Sequence, residues 1–157
     1  MNRRRIPSTG EQLPVIGCGT YVGFDRQPGS SEYARLPQVL QALRSAGGSV
    51  LDTSPMYGRA ETTLGELLWK QQPAATTFLA TKVWTQGREA GVAQMERSRQ
   101  RLRVARLDLL QVHNLVDWQT HLRTLRDWKA AGRVRYLGVT HYTASAYGEL
   151  ERIMRSE

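Results

Sequence analysis

Short apolar runs alternate with longer amphipathic stretches along nearly the whole chain, and this alternation limits the possible folds more than any other feature. The apolar runs are rich in β-branched residues and cover residues 15–19, 49–52, 77–81, 107–112 and 134–139. The stretches between them repeat apolar residues three and four positions apart, over residues 37–46, 60–70, 91–104 and 119–131, with a last helix beginning near Ala144. That spacing indicates helices that pack one face on a sheet. Five strand-then-helix units predict an α/β fold with a parallel sheet and right-handed crossovers.

The rest of the chain agrees with a single domain. Residues 1–14 are predicted to form an N-terminal β-hairpin, because two apolar-proline pairs flank a turn-forming segment. Glycines stand where helix C-caps are expected, at Gly47, Gly48 and Gly132. We therefore expect one domain over residues 1–157, with βα units 1 to 5 in residues 15–157. Periodicity alone leaves open whether the sheet is open or closed into a barrel.

Composition and charge argue against several classes of partner. The formal net charge of +8 comes mostly from arginines spread over the predicted helices. Neither zinc-finger spacing nor an aromatic RNA-binding strand accompanies them, so no nucleic-acid partner is expected. No apolar run approaches the length of a membrane span, so no membrane partner is expected either. Cys18 is the only cysteine and allows no intrachain disulfide, which favours the reducing cytoplasm.

Charged or polar side chains follow three consecutive predicted strands. Asp52 follows the second strand, Lys82 the third and His113 the fourth, and Tyr57 lies on the loop just beyond Asp52. Because the carboxyl ends of parallel strands share one face of the sheet, where ligands bind, these side chains are expected to meet. A buried charge needs a partner, and Asp52 and Lys82 are natural partners. The alternative is that these residues are polar only because they leave the core.

These four residue types favour proton donation to a carbonyl oxygen. A phenol is a poor acid at neutral pH, and we expect the Lys82 ammonium to lower the pKa of Tyr57 by stabilising its phenolate. Asp52 would hold Lys82 in place, and His113 would donate a hydrogen bond that orients a carbonyl group. An acid aimed at a carbonyl oxygen suits reduction by a hydride from a nicotinamide cofactor.

A dense set of residues around the second predicted strand and helix resembles the signature of the aldo-keto reductase superfamily. The matching residues are Ala46-Gly47-Gly48, Asp52-Thr53-Ser54, Tyr57-Gly58, Glu61, Leu64-Gly65 and Leu67-Leu68. The resemblance covers essentially the whole chain, including the hairpin, the segment 17–21 at the first strand, Lys82, and the segment 107–113 at the fourth strand. It implies a parallel (β/α)8 TIM barrel, of which this chain holds about five βα units.

The resemblance also implies an activity. In this family Asp, Tyr, Lys and His form a catalytic tetrad with Tyr as the proton donor, and these roles would be carried by Asp52, Tyr57, Lys82 and His113. The implied reaction is the NADPH-dependent reduction of an aldehyde or ketone to an alcohol. The implied partner is therefore a small-molecule carbonyl substrate.

Residues for cofactor and substrate follow from the same resemblance. NADPH would lie across the strand ends, with Thr20, Tyr21 and Asp52 near the nicotinamide and its ribose. Tyr21 and Trp84 would wall an apolar substrate pocket, although packing in the core is an equal alternative for both rings.

Two features depart from the family pattern. The family usually has Ser-Asn after the fifth strand, where Asn bonds the nicotinamide carboxamide, whereas this chain has Thr140 and His141. Histidine still donates one hydrogen bond, so both residues stay among the expected cofactor contacts. The last three strands of the family's barrel have no counterpart, which would leave the first and fifth strands as open edges. We therefore expect either a fragment of a longer product or self-association through these edges.

Two other enzyme classes agree less well with the sequence. Gly17-x-Gly19 followed by Gly23 resembles a Rossmann phosphate loop, but that fingerprint needs a helix to open at once, and residues 24–29 indicate a loop. A metal-dependent hydrolase would use His113, His141 and Asp52 as strand-end ligands, but Lys82 among them fits poorly and no metal is expected.

A non-catalytic function is the alternative to reductase activity. The family resemblance extends to channel-associated subunits that bind NADPH as regulatory or sensing modules. A catalytically impaired NADPH-binding module, or an inactive fragment, is therefore the alternative function.

Overall fold

The computed structural model describes residues 1–71 and 77–156, so Glu157, the end of the expected domain, lies outside the described residues. The strands are β1 (Arg3–Arg5), β2 (Gln12–Pro14), β3 (Cys18–Gly19), β4 (Val50–Asp52), β5 (Phe78–Val83), β6 (Leu107–His113) and β7 (Val134–Thr140). The helices are α1 (Ser31–Ser45), α2 (Ala60–Gln71), α3 (Arg88–Leu102), α4 (Trp118–Ala130) and α5 (Tyr147–Ser156), the last preceded by a 3-10 turn at Ala144–Ala146.

Strands β3 to β7 form one parallel sheet in the order in which they occur along the chain. An open doubly wound sheet reverses its strand order at one point, so that helices cover both of its faces. This sheet has no such reversal, and right-handed crossovers then place the connecting helices on one face, as in a (β/α)8 barrel. The predicted α/β fold is confirmed, and the strand order identifies the five units as part of a barrel.

The first helix begins earlier than its apolar spacing predicts. Helix α1 begins at Ser31 and contains Pro37, the residue at which the predicted helix began. The Ser30 side chain caps it by accepting a hydrogen bond from the Tyr33 amide at 3.1 Å. Proline favours the first turn of a helix, so the predicted start at Pro37 was plausible. Here Pro37 lies inside α1, where proline is less common, and the helix begins six residues earlier. Helix α3 likewise begins at Arg88 rather than at Gly91.

Strands β4, β6 and β7 each differ from their predicted bounds by one residue, whereas β3 and β5 differ by more. Strand β3 contains only Cys18 and Gly19, since Val15 and Ile16 lie outside the sheet and are exposed. Strand β5 continues through Val83, so that Lys82 lies inside the strand rather than after it. Lys82 nevertheless sits in the carboxyl-terminal half of β5 and stays at the expected face.

The predicted hairpin is confirmed and covers the amino-terminal end of the sheet. Strands β1 and β2 pair antiparallel. Glu11, just before β2, forms an ion pair with Arg135 near the start of β7, and Arg135 also donates to Asp108 at 2.7 Å. The Thr9 and Tyr136 hydroxyls lie 2.8 Å apart. The hairpin is therefore held at the end of the sheet opposite to the predicted site.

The core lies between the sheet and its covering helices. Its fully buried members include Leu40, Leu64, Met95, Leu102, Leu107, Leu110, Leu125 and Ile153. Helices α2 and α3 lie close together at Gly65, where an added methyl group would overlap the Arg101 carbonyl oxygen. Among the described residues, no helix is long and apolar enough to cross a bilayer.

Replacing Gly65 by Ala is expected to destabilise the fold by roughly 1–3 kcal/mol, because the methyl group would push against backbone rather than a flexible side chain. Gly148→Ala is the matched control, since nothing lies within 4 Å of the added group. Urea unfolding of both variants measures the difference. Equal free energies of unfolding would contradict the close approach of α2 and α3.

Candidate active site

The carboxyl ends of β4, β5 and β6 bring three of the predicted side chains together. Lys82 on β5 donates to both carboxylate oxygens of Asp52 on β4, at 2.8 and 2.7 Å. Its third hydrogen bond goes to the Thr53 carbonyl oxygen at 2.8 Å. An ammonium group has three protons, so all of them have acceptors here. The Lys82 side chain is only 6% exposed, whereas that of Asp52 is 39% exposed, so the pair reaches solvent through the carboxylate.

Tyr57 reaches the same place from the loop after β4. A turn closes this loop, in which the Tyr57 amide donates to the Ser54 carbonyl oxygen at 3.0 Å. The Tyr57 ring centroid lies 5.1 Å from Lys82 Nζ and 6.1 Å from the centroid of His113, which it meets edge-on. The structure therefore brings together all four residues that the sequence singled out.

The expectation that Lys82 lowers the pKa of Tyr57 is wrong. Burial, followed by the negative charge of Asp52, raises the pKa of the Tyr57 phenol above its usual value. The reason is the pairing of Lys82, whose three protons all have other acceptors. With its protons directed to those acceptors, the ammonium has none left for a hydrogen bond to the Tyr57 phenolate, the interaction that would lower the pKa.

His113, at the end of β6, lies within hydrogen-bond distance of Ser54 on its Nδ1 side. The Ser54 hydroxyl lies 3.3 Å from His113 Nδ1, and both residues are buried. Burial and the positive charge of Lys82 lower the pKa of His113 to about 4, so the ring is neutral at pH 7. Nε2 has no hydrogen-bond partner among the described residues. It is therefore a free nitrogen beside Tyr57.

The depressed pKa of His113 predicts a pH dependence of stability. The unfolded chain takes up a proton near pH 6.5, whereas the folded chain does so only near pH 4. Stability is therefore expected to fall as the pH drops from 6.5 towards 4, because the unfolded state binds more protons in that range. Urea midpoints of His113→Gln across the same range should fall less steeply than those of the unsubstituted chain. Parallel curves would contradict the neutral, buried state of the ring.

Sequence analysis missed a contact that fixes the loop of Tyr57. Asp25, on the loop after β3, accepts a hydrogen bond from the Arg59 amide at 2.9 Å. Its carboxylate fills the space beside Gly58, which has a φ of +57° and no room for a side chain. The Tyr21 ring, on the same loop as Asp25, lies 5.0 Å from that of Tyr57. Residue types alone do not indicate this role of Asp25, because its partner is a backbone group on another loop.

The expected cofactor residues lie around the same edge. The Thr20 amide donates to the Asp52 carbonyl oxygen at 2.9 Å, while the buried Thr20 hydroxyl has no partner within the part of the chain that the structure describes. Thr140 ends β7 opposite His113, and His141 follows it. His141 Nδ1 accepts from the Thr143 amide at 3.1 Å, which leaves its other nitrogen to donate. The Asp52 side chain is 39% exposed, so its carboxylate is open to a polar ligand at this edge.

Tyr21 and Trp84 do not pack in the core, which was the alternative for both rings. Tyr21 is 69% exposed and Trp84 is 42% exposed. The Gln94 side chain on α3 fixes the Trp84 backbone by accepting from its amide at 2.6 Å and donating to its carbonyl oxygen at 3.0 Å. Both rings are therefore presented to solvent by loops at the carboxyl edge of the sheet.

Metal ligands do not gather at this site. Within residues 1–71 and 77–156, no three His, Cys, Asp or Glu side chains stand close enough to hold one metal ion. His141, a ligand type that a hydrolase would use, instead bonds the segment that follows it.

Comparison with known proteins gives a single family. The model of the Aldo/keto reductase family matches residues 15–155. An aldo-keto reductase of Mycolicibacterium smegmatis is 31% identical over 152 residues, which is 90% of this chain and 51% of that protein. The chain thus spans about half the length of that relative.

Solved structures show the same fold. A thermostable aldo-keto reductase solved with the inhibitor epalrestat has a TM-score of 0.81 at 23% identity, and the match covers 100% of this chain and 59% of the other. An aldo-keto reductase from Klebsiella pneumoniae, solved with NADPH, has a TM-score of 0.77 at 24% identity, covering 97% and 54% of the two chains. At these identities the likeness shows the fold alone.

Proposed function

The chain belongs to the aldo/keto reductase family, and we propose that it reduces an aldehyde or ketone to an alcohol with NADPH as the hydride source. One observation carries this proposal. A phenol, an imidazole with a free nitrogen and a buried lysine–aspartate pair converge at the carboxyl edge of the sheet. Such an edge is where parallel α/β barrels bind their substrates.

Each side chain has a distinct part in the proposed reaction. The nicotinamide would supply the hydride to the carbonyl carbon. His113 Nε2 would donate a hydrogen bond to the carbonyl oxygen and fix its direction. Tyr57 would pass its phenolic proton to that oxygen as the negative charge develops. The raised pKa of Tyr57 does not prevent this step, because an alkoxide is a stronger base than a phenolate.

The choice of NADPH has two supports. The Klebsiella pneumoniae relative was solved with NADPH, and this chain has the partly exposed Asp52 carboxylate at the edge where the nicotinamide and its ribose would lie. Thr20, Tyr21, Asp52, Thr140 and His141 would hold the nicotinamide end of the cofactor, and Tyr21 and Trp84 would face the substrate. A reducing cytoplasmic location belongs to the same proposal.

A second candidate function is an NADPH-binding module with little turnover. The observation that favours it is the complete pairing of Lys82, which leaves no proton for the Tyr57 oxygen. In that case the chain would bind NADPH without consuming it when an aldehyde is added.

Mixing the protein with NADPH and 4-nitrobenzaldehyde tests the two functions together. A reductase lowers the nicotinamide absorbance and forms one alcohol for each NADPH consumed. Quenching of protein fluorescence by NADPH without loss of that absorbance would support the binding module instead. If the chain neither bound NADPH nor consumed it, both proposals would be contradicted.

We also propose that the sheet edges are covered by further chain or by a second copy. Strands β3 and β7 each have only one neighbour among the described strands, which leaves backbone groups on both edges open to pairing. Light scattering in dilute buffer tests this proposal. A stable, well-folded monomer at low concentration would count against it.

A further inference from the structure

Among the described residues, Ser54 is the one whose hydroxyl lies within hydrogen-bond distance of the His113 imidazole in the proposed site. It lies on the loop after β4, between Asp52 and Tyr57, and its side chain is fully buried. Its Oγ lies 3.3 Å from His113 Nδ1 and accepts a hydrogen bond from the Met56 amide at 3.4 Å. A serine hydroxyl has one proton and two lone pairs, so each of these contacts constrains the other.

Only one placement of the His113 ring proton lets the Ser54 hydroxyl both donate and accept a hydrogen bond. If His113 Nδ1 carried the proton, it would donate to Ser54, and the buried hydroxyl proton would have no acceptor among the described residues. An unsatisfied buried donor is costly. If Nδ1 is bare, the hydroxyl donates to it, the Met56 amide donates to the hydroxyl oxygen, and both Ser54 Oγ and His113 Nδ1 are satisfied. A neutral imidazole has a single proton, which then belongs on Nε2.

We propose that Ser54 is a positioning residue that holds the proton of His113 on Nε2, so that this nitrogen donates to the carbonyl oxygen of the substrate. The inference deepens the proposed function and rests on it. With the other tautomer, the lone pair of Nε2 would face the lone pairs of the carbonyl oxygen, and the ring would repel the substrate. Ser54 thus acts through His113 rather than on the substrate.

Nitrogen NMR of the chain labelled with ¹⁵N-histidine reads the tautomer directly. The described residues contain three histidines, and the other two have contacts that fix their tautomers. His121 Nε2 lies 2.7 Å from the Thr85 carbonyl oxygen, to which it must donate, and His141 Nδ1 accepts from Thr143. These two rings are internal references for the Nε2-protonated form.

The unsubstituted chain should give the Nε2-protonated pattern for His113 at pH 7, and Ser54→Ala should give a mixture of both tautomers. Ser54→Cys keeps a weaker donor of similar size and should give an intermediate result, which covers the case in which the alanine variant does not fold. Ser98→Ala, which removes another fully buried hydroxyl on α3, is the matched control and should leave the pattern unchanged. An unchanged His113 pattern in both Ser54 variants would overturn the proposal.

Kinetics then separate this proposal from the function it rests on. Ser54→Ala should lower kcat/KM for 4-nitrobenzaldehyde by about three- to tenfold, the size of one hydrogen bond, with NADPH affinity unchanged. Absence of turnover in the unsubstituted chain would contradict the reductase function. If Ser54→Ala nevertheless changed the tautomer of His113, the role of Ser54 would still be supported. A chain that turns over with the same kcat/KM in both forms would contradict the role of Ser54 alone.

Discussion

Replacing Tyr57 by Phe is expected to lower kcat for aldehyde reduction by about 10²- to 10⁴-fold, the usual contribution of a positioned general acid. The ring contacts with His113 and Tyr21 survive in the variant, since they involve the ring rather than the hydroxyl. NADPH affinity should therefore stay nearly the same. Loss of nicotinamide absorbance measures the rate, and quenching of protein fluorescence by NADPH measures the affinity.

Tyr147→Phe is the control for this substitution. Tyr147 is an exposed residue at the start of α5, so loss of its hydroxyl should leave the rate unchanged. If Tyr57→Phe reduced 4-nitrobenzaldehyde at the rate of the unsubstituted chain, Tyr57 would not be the proton donor. The neighbouring imidazole of His113 would then be the group to examine.

Replacing Asp52 by Ala is expected to destabilise the fold by about 3–5 kcal/mol, the usual effect of removing one partner of a buried ion pair. The remaining Lys82 ammonium is 6% exposed and would keep only the Thr53 carbonyl oxygen as a partner. Lys82→Met should cost less, because the Asp52 carboxylate is 39% exposed and water can solvate it. Urea unfolding of both variants gives the two free energies.

Asp127→Ala provides the matched control for the ion pair. Asp127 pairs with Arg88 at 3.4 Å, and both side chains are about two-thirds exposed or more (68% and 70%). Removing it should change the free energy of unfolding by no more than about 1 kcal/mol. A larger loss in Lys82→Met than in Asp52→Ala would contradict the unequal burial of the pair.

Strand and helix periodicity predicted the fold because these units bury apolar faces at regular intervals. Asp52 and His113 could be placed at the site from sequence for a related reason, since parallel strands carry their carboxyl ends to one face. Helix α2 begins at its predicted residue, and α4 lies within one residue of its predicted bounds. Strict strand order, which distinguishes a barrel from an open sheet, depends on long-range pairing and carries no periodic signal.

What the sequence could not predict depends on three-dimensional pairing. The pKa of Tyr57 depends on where the three protons of Lys82 point, and residue types alone do not contain that information. The contact of Ser54 with His113 joins residues 59 positions apart. The start of α1 was misplaced because its cap, Ser30, precedes a polar first turn without apolar spacing.

Transfer of deuterium from the cofactor to the product distinguishes a reductase from a binding module. The protein is incubated with 4-nitrobenzaldehyde and NADPH deuterated at the transferable position of the nicotinamide ring, and the alcohol is analysed by mass spectrometry. The convergence of Tyr57, His113 and the Lys82–Asp52 pair at one edge predicts an alcohol with one deuterium on its carbinol carbon. An alcohol without deuterium, or bound NADPH with no alcohol formed, would contradict hydride transfer from NADPH at this edge.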